Sequence, residues 1–123
     1  MAEPQWIASS EVIFVNRDGK RLAGSIRISH PDPADEHDAQ CWYTLEPVVK
    51  GRNIFGSDSL QALLLAIRMC AMELAMFEER GGRVEYLPAE DGTPGPRWDP
   101  STTFGALFRL PGEPDASEKP NVD

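Results

Sequence analysis

The chain has 123 residues, of which 41% are hydrophobic and 26% are charged, which suits one domain with a single core and excludes a wholly disordered chain. Twenty acidic residues against 12 basic residues give a formal net charge of −8. Such a charge repels the phosphate backbone of nucleic acids and anionic membrane surfaces. We therefore expect neither nucleic acid nor a membrane as a partner, whereas a basic protein would suit the charge.

The N-terminal residues contain neither a basic start nor a long apolar run, so they do not form a secretory signal. We expect that no stretch reaches the length needed to span a bilayer. These features predict a cytoplasmic protein. Cys41 and Cys70 each lie within an apolar pattern, which is typical of reduced, buried cysteines.

The first half of the chain has the pattern of an antiparallel sheet. Residues 6–16 are rich in β-branched and aromatic residues, and Arg21–Ser29 alternates between apolar and polar residues. The pair Asp18-Gly19, which lies between these two segments, is the strongest short-range signal for a hairpin turn. Residues 41–46 alternate in the same way, so the pattern predicts a meander of three strands.

The loop between the second and third predicted strands combines two prolines with many acidic residues, so neither a strand nor a helix is expected there. It contains several residue types that bind metals: His30, Asp32, Asp35, Glu36, His37 and Asp38. Their spacing matches no known metal motif, and the prolines hinder the chain from wrapping around an ion. We expect no metal and no cofactor.

A long helix is predicted over residues 59–80. Asp58 is the expected N-cap, and Gln61 can reach back to the helix start as in a capping box. Gly81 and Gly82 then end the helix, because glycine adopts the left-handed C-cap conformation at the lowest cost. A fourth strand is predicted over residues 83–87.

The helix has two apolar faces. The face expected to pack on the sheet consists of Leu60, Leu63, Leu64, Ile67, Cys70, Ala71, Leu74 and Phe77. The opposite face consists of Leu65, Met69, Met72 and Met76. Because a helix that is apolar nearly all round is normally buried nearly all round, another surface must cover this second face.

The C-terminal part is expected to be irregular, so we divide the chain into an α+β core over residues 1–87 and a Pro- and Gly-rich tail over residues 88–123. An apolar island interrupts the tail at residues 103–110 and includes Phe104, Leu107 and Phe108. Either this island or the same helix of a second subunit could cover the second helix face. We favour a homodimer, to which the island could add contacts.

The region before the helix could bind an anion. Residues 50–56 are predicted to be a link, and together with the helix start they supply free amides, two cations and two hydroxyls. The candidate residues are Lys50, Arg52, Ser57 and Ser59. Asp58 would occupy the same positive helix end, and no histidine is spaced to activate either serine, so no catalytic residue is assigned.

The stretch Gly56-Ser57-Asp58-Ser59-Leu60-Gln61-Ala62-Leu63 follows a His-Pro-Asp-Pro turn and a Cys-Trp-Tyr strand. In this order the chain resembles a family of short bacterial proteins of unknown function, whose central helix opens with Gly-x-Asp-Ser-Leu-Gln-Ala-Leu. The resemblance covers roughly residues 7–87. It implies a meander followed by a helix, and it implies no activity.

The combined pattern predicts an α+β fold: an antiparallel meander of three to four strands packed against one long α-helix, with an irregular C-terminal tail. The expected function is that of a non-enzymatic module for protein binding or self-association. Two alternatives remain open. One is a small-molecule or anion-binding enzyme subunit, and the other is an immunity-type protein that neutralises a basic toxin.

Overall fold

A six-stranded antiparallel sheet carries one long helix on one of its faces. The computed structural model describes residues 5–33 and 38–105. The predicted α+β class is confirmed. The elements in chain order are β1 (Trp6–Val15), β2 (Arg21–Ser29), β3 (Asp32–Pro33), β4 (Ala39–Glu46), β5 (Val49–Gly56), α1 (Ser59–Glu79), β6 (Arg83–Tyr86) and α2 (Pro100–Gly105).

The strands lie in the order β5-β4-β2-β1-β6 across the sheet. The short strand β3 and strand β5 both pair with the start of β4. β3 therefore lies on the side of β4 opposite to β5, beside β2. Beyond β6, the segment around Arg97 continues the pairing: the Tyr86 N–H donates to the Pro96 carbonyl, and the Trp98 N–H donates to the Val84 carbonyl. Residues 96–98 therefore cover one edge of the sheet.

The hairpin between β1 and β2 confirms the predicted Asp-Gly turn. Gly19 has a φ of 84°, a left-handed conformation that glycine adopts without strain. The Asn16 side-chain oxygen accepts hydrogen bonds from the Asp18 and Lys20 amides, both at 2.9 Å. These local bonds hold the turn in a shape that returns β2 antiparallel to β1.

Two segments that were predicted to lack strand structure are strands. Residues 50–56, predicted as a link, belong to β5, because Val49 and Ile54 pack against the core while the polar residues around them lie at the margin of the sheet. Asp32–Pro33, predicted as loop, pairs with the start of β4. Proline is tolerated in a short strand at such a position because it needs no N–H donor there.

The ends of α1 agree with the predicted caps. The Asp58 carboxylate accepts a 2.8 Å hydrogen bond from the Gln61 amide. Gln61 also reaches back, although it accepts from the Ser57 amide at 2.6 Å and not from that of Asp58. Gly81, with a φ of 98°, follows the helix and supplies the left-handed residue of the C-terminal cap.

The row of α1 that packs on the sheet differs in part from the prediction. Leu60 and Leu64 were expected in the core, but they are 65% and 48% exposed. The row that faces the sheet instead consists mostly of small residues, which let the helix lie close to the strands. At Gly56, for example, an added Cβ would lie 2.5 Å from the backbone nitrogen of Ala62. The fully buried row is Ala62, Ala66, Cys70 and Leu74.

The core extends from α1 across the sheet to residues that follow β6. Phe14 of β1 and Phe77 of α1 make an edge-to-face contact with ring centroids 5.7 Å apart. Trp98 and Phe104 make a similar contact at 5.9 Å, and both are buried. Part of the segment predicted as tail therefore belongs to the core.

By length and composition alone, α1 is the one helix in the described ranges that could cross a bilayer. The expectation that no segment reaches this length and apolarity is wrong. The core helices of soluble proteins pass the same test. In this fold α1 lies against the sheet with one complete row of side chains buried.

Candidate interaction surface on the central helix

Helix α1 lies over one half of the sheet and contacts mainly β4 and β5. Its start is fixed by the close approach of Ala62 to Gly56. Further along, Glu73 forms an ion pair with Arg52, with 3.2 Å between Glu73 Oε2 and Arg52 Nε. Since residue numbers increase along α1 as they decrease along β5, the two elements run antiparallel beside each other.

We call the row Leu65, Met69, Met72 and Met76 the methionine flank. Glu73 forms an ion pair with Arg52 of β5, so it lies on the β5 side of α1. Met69 precedes Glu73 by four residues and Met76 follows it by three, and residues at these spacings are neighbours on a helix surface. The methionine flank therefore lies on the β5 side of α1. Met72 and Met76 are 48% and 42% exposed. Met69 was predicted to face away from the core, but it is partly buried and packs against the core cluster.

The other side of α1 faces the C-terminal segment. Leu60 and Leu64 lie on this side, as does Glu78, which binds Arg97 through a 2.7 Å hydrogen bond from Nη2. Helix α2 contacts α1. Phe104, a predicted interface residue, is buried beside Trp98 and is not open to a second subunit, while Leu107 and Phe108 lie outside the described residues.

A partly buried polar contact joins α1 to the sheet beneath it. The Tyr43 hydroxyl donates a 2.7 Å hydrogen bond to Glu73 Oε2, which also pairs with Arg52. Burial and then the hydrogen bond to Glu73 raise the pKa of Tyr43 far above its ordinary value. Tyr43 therefore remains a protonated donor, and the three side chains hold β4, β5 and α1 together.

The proposed anion-binding residues are not brought together. Arg52 pairs with Glu73, and the Ser57 hydroxyl lies 3.0 Å from the Gln61 side-chain oxygen. Along an extended strand, Lys50 lies roughly 20 Å from Ser57, too far for both to contact one small anion. Ser59 is exposed, and the Asp58 carboxylate already accepts from the Gln61 amide at the helix start.

The two cysteines are free and buried, as predicted. Burial raises the pKa of Cys70 to about 12 and also raises that of Cys41. Both thiols therefore remain protonated and unreactive near neutral pH.

In the parts of the chain that the structure describes, no group of three His, Cys, Asp or Glu side chains could hold a metal. His30 Nδ1 lies 3.4 Å from Asp32 Oδ1. Asp35, Glu36 and His37 lie outside the described residues, so the absence of a metal stays a prediction for this loop.

The sequence did not indicate an ionic cluster centred on Glu85 in β6. Arg83 Nε donates to Glu85 Oε2 at 2.7 Å, and Arg21 Nη2 lies 2.7 Å from Oε1. The hydrogen bond from Arg83, followed by that from Arg21, holds the pKa of Glu85 below its ordinary value. The cluster joins β6 to β2 across β1 and has a structural role.

The chain belongs to the DUF6968 family, a domain of unknown function, whose family model matches residues 12–97. The match runs from the middle of β1 to the bridge between Arg97 and Glu85. No curated protein and no solved structure is significantly similar to the chain.

Proposed function

We propose that this chain is a non-enzymatic protein-interaction module that forms a homodimer through the methionine flank of α1. The observation that carries the proposal is the exposure of Met72 and Met76, 48% and 42%, on a helix whose opposite row is fully buried. Exposed apolar side chains grouped on one surface are typical of a protein interface. The proposed dimer forms in the cytoplasm.

The position of the C-terminal island favours a second subunit as the cover of this flank. Phe104, at the start of the island, is buried beside Trp98. Arg97, just before it, binds Glu78 on the other side of α1 from the methionines. The chain therefore enters the island on the side of α1 away from Met72 and Met76.

The chemistry of methionine also suits a surface that meets a copy of itself. Its unbranched, polarisable side chain adapts to irregular partner surfaces and packs well against other methionines. A two-fold axis beside the flank would bring the same row from each chain together. The acidic charge of the chain is also compatible with an additional basic partner.

The test is the molar mass of the double variant Met72→Glu, Met76→Glu measured by light scattering at high micromolar concentration. We expect the wild-type chain to be a dimer and the variant to be a folded monomer, because two buried carboxylates in each flank would oppose association. Circular dichroism checks the fold. Met69 is left unchanged because it packs against the core.

The matched control is Leu60→Glu, Leu64→Glu, which places the same charges on exposed positions of the other side of α1. This control should remain a dimer. A wild-type chain that is monomeric at high micromolar concentration would refute the proposal. So would a dimer that dissociates in the leucine variant and persists in the methionine variant.

A further inference from the structure

We propose that the dimer is built by antiparallel pairing of β5 with β5 of a second copy. The two sheets then form one continuous sheet, and the two methionine flanks meet above the junction. This inference rests on the proposed function and specifies how the two copies are joined. It follows from the edge of the sheet, from the position of α1 above that edge, and from the side chains of β5.

The edge formed by β5 is suited to pairing. β5 has eight residues without a proline, and among the described residues it pairs only with β4. An edge strand of this kind presents unpaired N–H and C=O groups that another strand can bind. The opposite edge, at β6, is instead covered by residues 96–98 of the same chain.

The lateral position of α1 suits two helices packed side by side. Because α1 contacts mainly β4 and β5, we place its axis roughly midway between these strands. With neighbouring strands about 4.8 Å apart, a two-fold axis beyond β5 would place the two helices roughly 10 Å apart. Packed helices are typically about 8–10 Å apart, so strand pairing and helix packing can form together.

The position of the methionine flank along α1 also agrees with pairing at β5. Gly56 lies beside Ala62, and going back three residues along β5 to Asn53 covers about 10 Å. The same distance along α1 is about seven residues and leads to Met69. A two-fold axis at Asn53 would therefore pass close to the middle of the methionine flank.

The side chains of β5 favour this same register. Pairing centred on Asn53 places Arg52 opposite the partner's Ile54, whereas a register centred on Arg52 would place two like charges opposite each other. It also places Phe55, which is 58% exposed, opposite the partner's Gly51. An aromatic ring across from a glycine covers the backbone that the glycine leaves bare.

The register is tested by cysteine cross-linking of the full chain under mild oxidation. In the variant Asn53→Cys the two new cysteines would be directly opposite, with Cα atoms about 5 Å apart, which suits a disulfide. We expect most of this variant to become a covalent dimer. The control Phe55→Cys should remain uncross-linked, because its two cysteines would lie roughly 13 Å apart along the strands.

A second variant tests the edge without cross-linking. Phe55→Lys should weaken the dimer by about tenfold, because it replaces an exposed aromatic, which the partner strand would cover, with a charge at the junction. The control Tyr86→Lys changes an exposed aromatic on β6 and should leave the dissociation constant unchanged. Sedimentation equilibrium measures both constants, and circular dichroism confirms that both variants fold.

The outcomes separate this inference from the proposed function. If the wild type dimerises and the methionine variant does not, but Asn53→Cys stays uncross-linked and Phe55→Lys dimerises normally, edge pairing is refuted and the methionine interface stands. If the wild type is monomeric, both are refuted. A monomer that floats with phosphatidylcholine–phosphatidylglycerol vesicles, and does so only when Met72 and Met76 are present, would show that the methionine flank binds membranes. That result would replace both the dimer and the edge pairing.

Discussion

The Tyr43 hydroxyl donates a 2.7 Å hydrogen bond to the Glu73 carboxylate, and so links the centre of β4 to the middle of α1. Arg52 Nε, 3.2 Å from the same carboxylate oxygen, adds β5 to the contact. Tyr43 is fully buried, so its hydroxyl requires a partner. The contact fixes where α1 lies along the sheet, and hence where the methionine flank lies relative to the edge at β5.

Replacing Tyr43 with Phe should lower the free energy of unfolding by about 1.5 kcal/mol, because it removes a hydrogen bond to a charged acceptor. Urea unfolding followed by circular dichroism measures the change. Tyr86→Phe is the control: Tyr86 is 45% exposed, and its variant should stay within about 0.5 kcal/mol of the wild type. If the free energy of unfolding of Tyr43→Phe is as close to that of the wild type as the value for Tyr86→Phe, the contact with Glu73 contributes no stability.

The close packing of α1 on the sheet predicts a strong effect of side-chain size at Ala66. Ala66 is fully buried, so Ala66→Leu should destabilise the fold by about 1–3 kcal/mol through overpacking. Ala75→Leu adds the same atoms on the exposed side of α1 and should be nearly neutral. Thermal unfolding of both variants compares them. A neutral Ala66→Leu would mean that the helix lies further from the sheet than it does in this structure.

The cluster around Glu85 predicts how stability depends on pH. Since Arg83 and then Arg21 hold the pKa of Glu85 low, the unfolded chain takes up this proton at a higher pH than the folded chain. The stability from the cluster is therefore complete above about pH 4.3 and is lost as the pH falls through the lower folded pKa.

This effect is measurable by urea unfolding between neutral pH and about pH 3. The wild type should lose more stability over that range than Glu85→Gln, which has no carboxylate to titrate. Glu11→Gln, at an exposed position in β1, should keep the wild-type dependence. If Glu85→Gln also keeps the wild-type dependence of stability on pH, the cluster does not contribute to acid unfolding.

The features predicted correctly from the sequence depend on neighbours along the chain. The turn at Gly19 and the cap at Asp58 have signals within a few residues, since glycine and the capping carboxylate each have a local reason for their position. The contact of Tyr43 with Glu73 joins residues 30 positions apart. The one available signal was the carboxylate of Glu73 in the largely apolar middle of the helix.

The errors in the helix and in β5 have physical causes. Because α1 is apolar on several sides, its spacing did not determine which row meets the sheet, and the small residues of that row decided it by allowing close approach. β5 was missed because its polar residues, such as Lys50 and Arg52, are exposed at a sheet edge. Edge strands are less apolar than central strands and therefore have weaker sequence patterns.

The N-terminal cap of α1 provides the last prediction. The Asp58 carboxylate accepts from the Gln61 amide at 2.8 Å, so Asp58→Ala should lower the free energy of unfolding by about 1 kcal/mol. Ser59→Ala is the control, because Ser59 is exposed at the first helical position and alanine is a good helix former. Urea unfolding at neutral pH measures both variants. A change of only a few tenths of a kcal/mol in Asp58→Ala would show that the cap does not stabilise α1, and would leave the carboxylate available for another role.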